Sequence, residues 1–249
     1  MNGVLIIGYG VVGKNLAAEI GKLNPDIYDK YKTEHNSKKS GTYSIGFICV
    51  DTPLVNGICD TSAVEYALAE NDCEIYVMKS TVPVGTIDRL KNETGKRIVF
   101  SPEYYGGTQH CNNFEFAFTI IGGDRADCIA VQQKLQHVYD ARHKFFIVDS
   151  KTAEMAKFME NAWLATKVAF CCDFYNACLK AGVEYDILRE LFTADPRVNP
   201  SHTFVYKEHP YYDSHCLNKD VPSIAHQFDM ELIKSVILAN ENKKNNANT

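Results

Sequence analysis

No stretch of this sequence approaches 18 consecutive apolar residues, and the opening run Val4–Ile7 stops at Gly8. That leaves nothing long enough for a membrane span or the core of a signal peptide, so a cytoplasmic location is expected. Nor is there a cluster of Lys and Arg: 26 basic against 31 acidic residues leave a net charge of −5. An acidic chain without a basic patch is a poor partner for nucleic acid or an anionic membrane surface. There is no C-x-x-C pair. Nine cysteines, an odd number at irregular spacing, argue against a disulfide framework and a structural zinc site and fit reduced thiols, most of them small core residues. Internal repeats are absent. What remains is 249 residues, 45% hydrophobic and 23% charged, which suits one large folded domain or two modest ones.

Up to about residue 148, Val/Ile/Phe-rich runs alternate with helical patterns. GVLII, SIGFICV, EIYVM, RIVF, FTII and KFFIV read as strands. Helices are expected over Val11–Lys22, Thr61–Asn71, Thr86–Thr94 and Asp124–Tyr139, and the polar segment Lys30–Tyr43 reads as a loop. Such alternation predicts an α/β domain over 1–149, a Rossmann-like parallel sheet with helices on both faces. From Ser150 the pattern becomes helical. Residues 151–181 contain neither Pro nor Gly and form one long helix, with further helices expected near 184–193 and 222–240. The all-helical domain thus covers 150–240, and the polar tail 241–249 is expected to be disordered.

Gly8-Tyr9-Gly10-Val11-Val12-Gly13 follows the first strand and opens the first helix. A lone G-x-G-x-x-G is often only a tight turn, but this context suits dinucleotide binding. Glycines allow the turn and close approach, and the helix N-terminus offers unpaired N–H groups to a pyrophosphate. Asp29, sixteen residues past Gly13, is placed to accept from a ribose 2′-hydroxyl and to repel a 2′-phosphate, favouring NAD over NADP.

Further motifs are less generic. Val50-Asp-Thr52-Pro53, Lys79-Ser80-Thr81-Val-Pro-Val-Gly85-Thr86, Ser101-Pro102-Glu103-Tyr-Tyr, Glu154-x-x-Lys157-x-x-x-Asn161, Asp195-Pro-Arg197-Val and His215-Cys216-Leu-Asn-Lys219-Asp220 occur in that order. In these motifs the sequence resembles the UDP-glucose/GDP-mannose dehydrogenase family. The resemblance implies oxidation of a nucleotide-sugar 6-hydroxyl to a carboxylate in two NAD-dependent steps, through a cysteine thiohemiacetal and thioester. It implies Cys216 as nucleophile, with Lys157, Asn161 and Asp220 in oxyanion and proton-transfer roles. Glu103 corresponds to the acid of thioester turnover and Thr81 to a hydroxyl positioning water and cofactor. The cofactor site extends to Val50, Thr52, Pro53, Ser80, Thr81 and Lys219. A substrate site of Glu103, Tyr104, Tyr105, Lys157, Asn161 and Arg197 follows, Arg197 reaching a neighbouring subunit's substrate.

Spacing alone puts Glu154, Lys157 and Asn161 on one helix face, within about 60°, which could equally be a solvated stripe. Lys219 and Lys157 could lower the pKa of a Cys216 thiol, which would otherwise be an inert buried group. His215, Cys216 and His209 fit no standard metal-ligand spacing, so no metal is expected. The helix 151–181 carries Met155, Phe158, Met159, Trp163, Leu164, Val168, Phe170, Phe174 and Leu179 on nearly every side, which calls for a second copy and a homodimer.

The sequence also departs from the family. The nucleotide-sugar-binding domain that normally follows the central helices is not in these 249 residues. Asp213-Ser214 stands where the family has Gly-Gly, which would crowd or repel a phosphorylated substrate. Gly107 replaces an acid, and Asn218 replaces a proline. Three readings compete: a sugar-nucleotide 6-dehydrogenase, a two-electron dehydrogenase of a smaller hydroxylated substrate, and a non-catalytic NAD-binding subunit or remnant.

Overall fold

The computed structural model describes residues 2–37, 41–105 and 116–247. Gly107 lies outside them, as do the last two residues of the polar tail. The described chain divides into two units, one of residues 2–55, 59–105 and 116–157 and one of residues 56–58 and 158–247.

The first unit begins with β1 (Asn2–Ile7), α1 (Val11–Glu19), β2 (Asp26–Tyr28) and β3 (Tyr43–Ile48). The two-residue strands β4 (Leu54–Val55) and β5 (Ile58–Cys59) form a separate ribbon. Then come α2 (Ser62–Glu70), β6 (Cys73–Met78), α3 (Thr86–Thr94), β7 (Ile98–Phe100), β8 (Phe118–Gly122), α4 (Arg125–Leu135) and β9 (Lys144–Val148). Seven strands make one sheet in the order β2-β1-β3-β6-β7-β8-β9. Ile6 pairs with Phe47, which pairs with Val77, so three apolar runs lie in register at the centre.

Side chains alternate between two cores, as the two-residue period of a strand requires. Leu5, Ile7, Ile48 and Met78 pack with Val64 and Leu68 of α2 and Ile87 and Leu90 of α3. Val4, Ile6, Phe47 and Val77 pack with Leu16 of α1 and Val131 and Leu135 of α4. Each fully buried Ile, Leu or Phe contributes about 2 kcal/mol. The expected parallel sheet is mostly parallel, but β8 runs antiparallel to β7. No helical pattern separates these strands in the sequence, and a crossover keeping neighbours parallel needs one. Within the 30–43 loop the described residues include the 3₁₀ turn Thr33–His35, before β3 begins at Tyr43.

Helix α5 (Ser150–Ala181) starts in the first unit and continues into the second, which holds α6 (Tyr185–Thr193), α7 (His215–Gln227) and α8 (Glu231–Ala247). Ala162, Ala165 and Ala169 of α5 let α7 and α8 approach, and Leu217, Val221, Ala225, Ile233 and Val236 fill that core. Two expectations are corrected here. The single helix over 222–240 is two helices, because Pro222 sits inside α7 and the break comes at Asp229, left-handed at φ 53°. Proline looks like a helix start, but packing of Leu217, Val221 and Ile224 outweighs one missing N–H. The tail 241–247 continues α8. Lys243 reaches Asp173 and Lys244 reaches Asp213, which composition alone does not reveal.

Candidate active site

The glycine loop links β1 to α1. Gly8 is left-handed at φ 91°, and a Cβ there would stand 2.7 Å from the Cys49 carbonyl oxygen, while one at Gly13 would collide with the Gly8 carbonyl oxygen. These two glycines are required by the protein itself. At Gly10 a Cβ would meet nothing within 4 Å, and α1 begins there without a side-chain cap. An uncapped helix start behind an open approach fits a pyrophosphate. Val11 is exposed and Val12 half-buried at that start. Asp29 follows β2 directly, its carboxylate fixed by two backbone donors, Tyr9 N at 2.7 Å and Tyr31 N at 2.9 Å. The residues present fit NAD.

The ends of β3 and β6 hold the next group. Thr52 Oγ1 donates to the Thr81 carbonyl at 2.8 Å and Ser80 Oγ to the Val50 carbonyl at 2.6 Å, tying the two loops together. Thr52, Ser80 and Thr81 are buried and Pro53 is exposed. Lys79, whose role the sequence reading missed, is buried and donates to the Pro102 carbonyl at 3.2 Å. Burial holds its ammonium below the usual lysine range, against the pull of Glu19, Cys49 and Glu103. A lysine ending an apolar strand was the available signal.

Glu103 and Lys157 are both buried and face each other at 3.8 Å. The Lys157 ammonium also lies 4.9 Å from the centre of the Tyr104 ring. Tyr105, expected at the sugar, sends its hydroxyl to Glu19, and its backbone N–H donates to Glu103 at 3.0 Å. Glu154, one turn before Lys157, is fully buried and accepts from Gly85 N at 2.6 Å and Ile87 N at 2.9 Å. It caps α3 from α5, at the end of the loop carrying Thr81. Desolvation pushes its pKa up to about 7, although both N–H bonds oppose the shift.

In the second unit Asp220 is the centre. Its Oδ2 accepts from Asn161 Nδ2 at 2.7 Å and its Oδ1 from Lys219 Nζ at 2.6 Å, with Asn161 and Asp220 buried. Lys219, expected at the cofactor, thus gives its ammonium to Asp220. Cys216 is the second residue of α7 and exposed, whereas the seven other described cysteines are buried. Ser214 caps that helix, its Oγ accepting from Leu217 N at 3.2 Å. Arg197 is exposed and held in a fork by Asp195, with Nη2 at 2.6 Å. Asp213, expected to repel phosphate, is neutralised by Lys244 at 2.6 Å.

With this geometry in hand, comparison with known proteins is informative. The UDP-glucose/GDP-mannose dehydrogenase family, NAD binding domain, matches residues 26–142, and the central domain of the same family matches 151–247. The glycine loop precedes the first match, so its assignment rests on its own geometry. UDP-N-acetyl-D-mannosamine dehydrogenase of Pyrococcus horikoshii is 26% identical over 86% of this chain and 57% of its own. UDP-glucose 6-dehydrogenase of Rickettsia bellii is 26% identical over 92% of this chain and 60% of its own. The chain therefore spans about 60% of the length of these relatives. Among solved structures, a UDP-D-ManNAc dehydrogenase from Pyrococcus horikoshii has a TM-score of 0.79 at 22% identity, over 97% of this chain and 68% of that one. A 3-hydroxyisobutyrate dehydrogenase from Mycobacterium tuberculosis has a TM-score of 0.67 at 15% identity, over 95% and 91%.

Proposed function

The chain belongs to the UDP-glucose/GDP-mannose dehydrogenase family, and on that premise we propose that it is an NAD-dependent nucleotide-sugar 6-dehydrogenase, turning a 6-hydroxyl into a carboxylate. One observation carries the proposal. Two polar residues one turn apart on α5 are buried, each against a carboxylate of its own unit: Lys157 against Glu103 and Asn161 against Asp220. A polar stripe on a helix is ordinarily solvated. Burying charge costs several kcal/mol per ion, and such clusters concentrate at functional sites.

Roles then follow residue by residue. The Gly8–Gly13 loop and the start of α1 hold the pyrophosphate, Asp29 the adenosine ribose, and Val50, Thr52, Pro53, Ser80 and Thr81 complete the cofactor site, while Lys219 holds Asp220. NAD, when bound, supplies the hydride acceptor for each oxidation. The Cys216 thiolate adds to the carbonyl of the first product, forming a C–S bond. Loss of a second hydride leaves a thioester, and water then displaces the sulfur to give the acid. Lys157 and Asn161 donate to the oxyanions, Asp220 moves the proton, and Glu103 and Thr81 orient the water. Tyr104 contacts the substrate, and Arg197 reaches the substrate of the neighbouring subunit.

The active form is a homodimer built on α5. Met159, Trp163, Phe170, Phe174 and Leu179 remain exposed in the second unit, Met159 at 72%, as do Ile187 and Leu191 of α6, whose Phe192 packs on Phe170. An apolar face of that extent favours a second copy. Dimeric mass at micromolar protein supports this; monomer refutes it. A cytoplasmic location agrees with the fact that no described helix is long and apolar enough to cross a membrane.

A second reading, two-electron oxidation of a smaller hydroxylated substrate, is favoured by one observation: the fold covers 91% of the 3-hydroxyisobutyrate dehydrogenase chain. A panel of UDP-, GDP- and dTDP-sugars, scored for NADH, tests the proposal. NADH production from one of them supports it. Silence across the panel together with oxidation of a small hydroxy acid replaces it with the second reading.

A further inference from the structure

Asp213 and Asn218, both departures from the family pattern, bond to each other: Asn218 Nδ2 donates to Asp213 Oδ1 at 2.7 Å. Lys244, near the end of α8, donates to the same oxygen at 2.6 Å. The preceding residue is fixed from the same helix, with Tyr212 N donating to Asn240 Oδ1 at 2.8 Å and Asn240 Nδ2 to the Tyr212 carbonyl at 3.0 Å. Tyr212 and Asn240 are buried. Ser214 then caps α7. Residues 212–214 are therefore each bonded to α7 or α8, immediately before Cys216.

We propose that Asp213, Asn218 and Lys244 form a staple that positions Cys216 in the first turn of α7. The inference rests on reading Cys216 as the nucleophile. Backbone N–H groups and the helix dipole stabilise a thiolate at that turn only while the turn is held in place. The three residues act through Cys216 and touch no reacting atom, so their role is positioning. Lys244 also cancels the Asp213 charge three residues from the thiol. Other charged or titratable groups around the staple are His215, next to Cys216, His209, near Asp213, and Tyr211 and Glu241, near Lys244, with Lys219 and Asp220 further along α7.

The test is alkylation of the full chain by iodoacetamide across pH, with the adduct located by peptide mass spectrometry. Peptide mapping separates the Cys216 adduct from any at other cysteines, and the seven other described cysteines are buried. Asn218→Ala and Lys244→Met are each expected to move the inflection of the Cys216 profile upward by roughly half a unit, about threefold less thiolate at neutral pH. Both should lower kcat while leaving the KM for NAD unchanged. Lys244→Arg should restore wild-type behaviour, which separates positioning from a folding defect. Wild-type profiles in both disruptive variants would overturn the staple. Alkylation needs no substrate. A protein inert towards every nucleotide sugar would overturn the proposed reaction, and the same shift would still support the staple.

Discussion

In the first unit the buried charges of Lys157 and Glu103 face each other at 3.8 Å, beyond hydrogen-bond range, and the lysine leans on the Tyr104 ring. In the second unit Asp220 takes one donor on each oxygen, at 2.6 and 2.7 Å. Both clusters are buried and both draw one member from α5. The difference is in the separation of the charged groups, 3.8 Å in the first and 2.6 Å in the second. A carboxylate with short bonds on both oxygens is preorganised, and removing it takes a short bond from each of two donors. The Lys157–Glu103 pair stands at a longer separation, with Tyr105 N–H donating to the Glu103 carboxylate at 3.0 Å.

The largest effect expected is at the nucleophile. Cys216→Ser should leave NAD binding intact and reduce acid formation by about a thousandfold or more, since an alcohol is a far weaker nucleophile than a thiolate. Titration of NAD alongside product analysis checks both halves. Wild-type turnover would break the link between the second unit and the chemistry.

Stability sharpens the comparison next. Asp220→Ala should destabilise by about 2–4 kcal/mol, because buried Asn161 loses its acceptor and the Lys219 ammonium its 2.6 Å carboxylate contact. Glu103→Ala, in the looser pair, should remove roughly 1–3 kcal/mol. Urea unfolding of both variants measures the gap, and equal losses would remove the distinction drawn here.

Glu154 gives a pH prediction. Its folded pKa of about 7 lies above the ordinary 4.5, so between those values the folded state holds more proton than the unfolded one. Stability from this group is full below about pH 4.5 and is lost as pH rises through 7, by up to about 3 kcal/mol. Glu154→Gln should flatten that slope, measured as melting temperature against pH. An unchanged slope would remove Glu154 as its source.

Cofactor choice is the smallest effect. With both Asp29 oxygens fixed by backbone donors, the carboxylate has little freedom to turn from a 2′-phosphate. NAD should bind at least about tenfold tighter than NADP, and Asp29→Asn should narrow the difference. Equal affinities in the wild type would sink the assignment.

The strands, the dinucleotide loop and the long helix were legible because each is a local pattern: an apolar run between punctuating residues, glycines at fixed offsets, a span without Pro or Gly. Nonlocal facts were not. Whether Lys157 and Asn161 form a solvated stripe depends on what packs over α5, and the answer lies 54 residues upstream at Glu103 and 59 downstream at Asp220. The antiparallel β8, the break at Asp229 and the folded tail have the same cause. Lys243 and Lys244 look like a polar end until their partners, Asp173 and Asp213, are known. Glu154 was visible as a motif member, but only the bonds to Gly85 and Ile87 show that it caps α3.

The most direct test of the account counts NADH formed per nucleotide sugar consumed at steady state by the wild-type chain. If Cys216 carries the intermediate and the two clusters serve its formation and hydrolysis, two NADH appear for every sugar acid released. One NADH per molecule, with an aldehyde or ketone as the final product, would contradict the thioester route and with it the roles given to Cys216, Asp220 and Glu103.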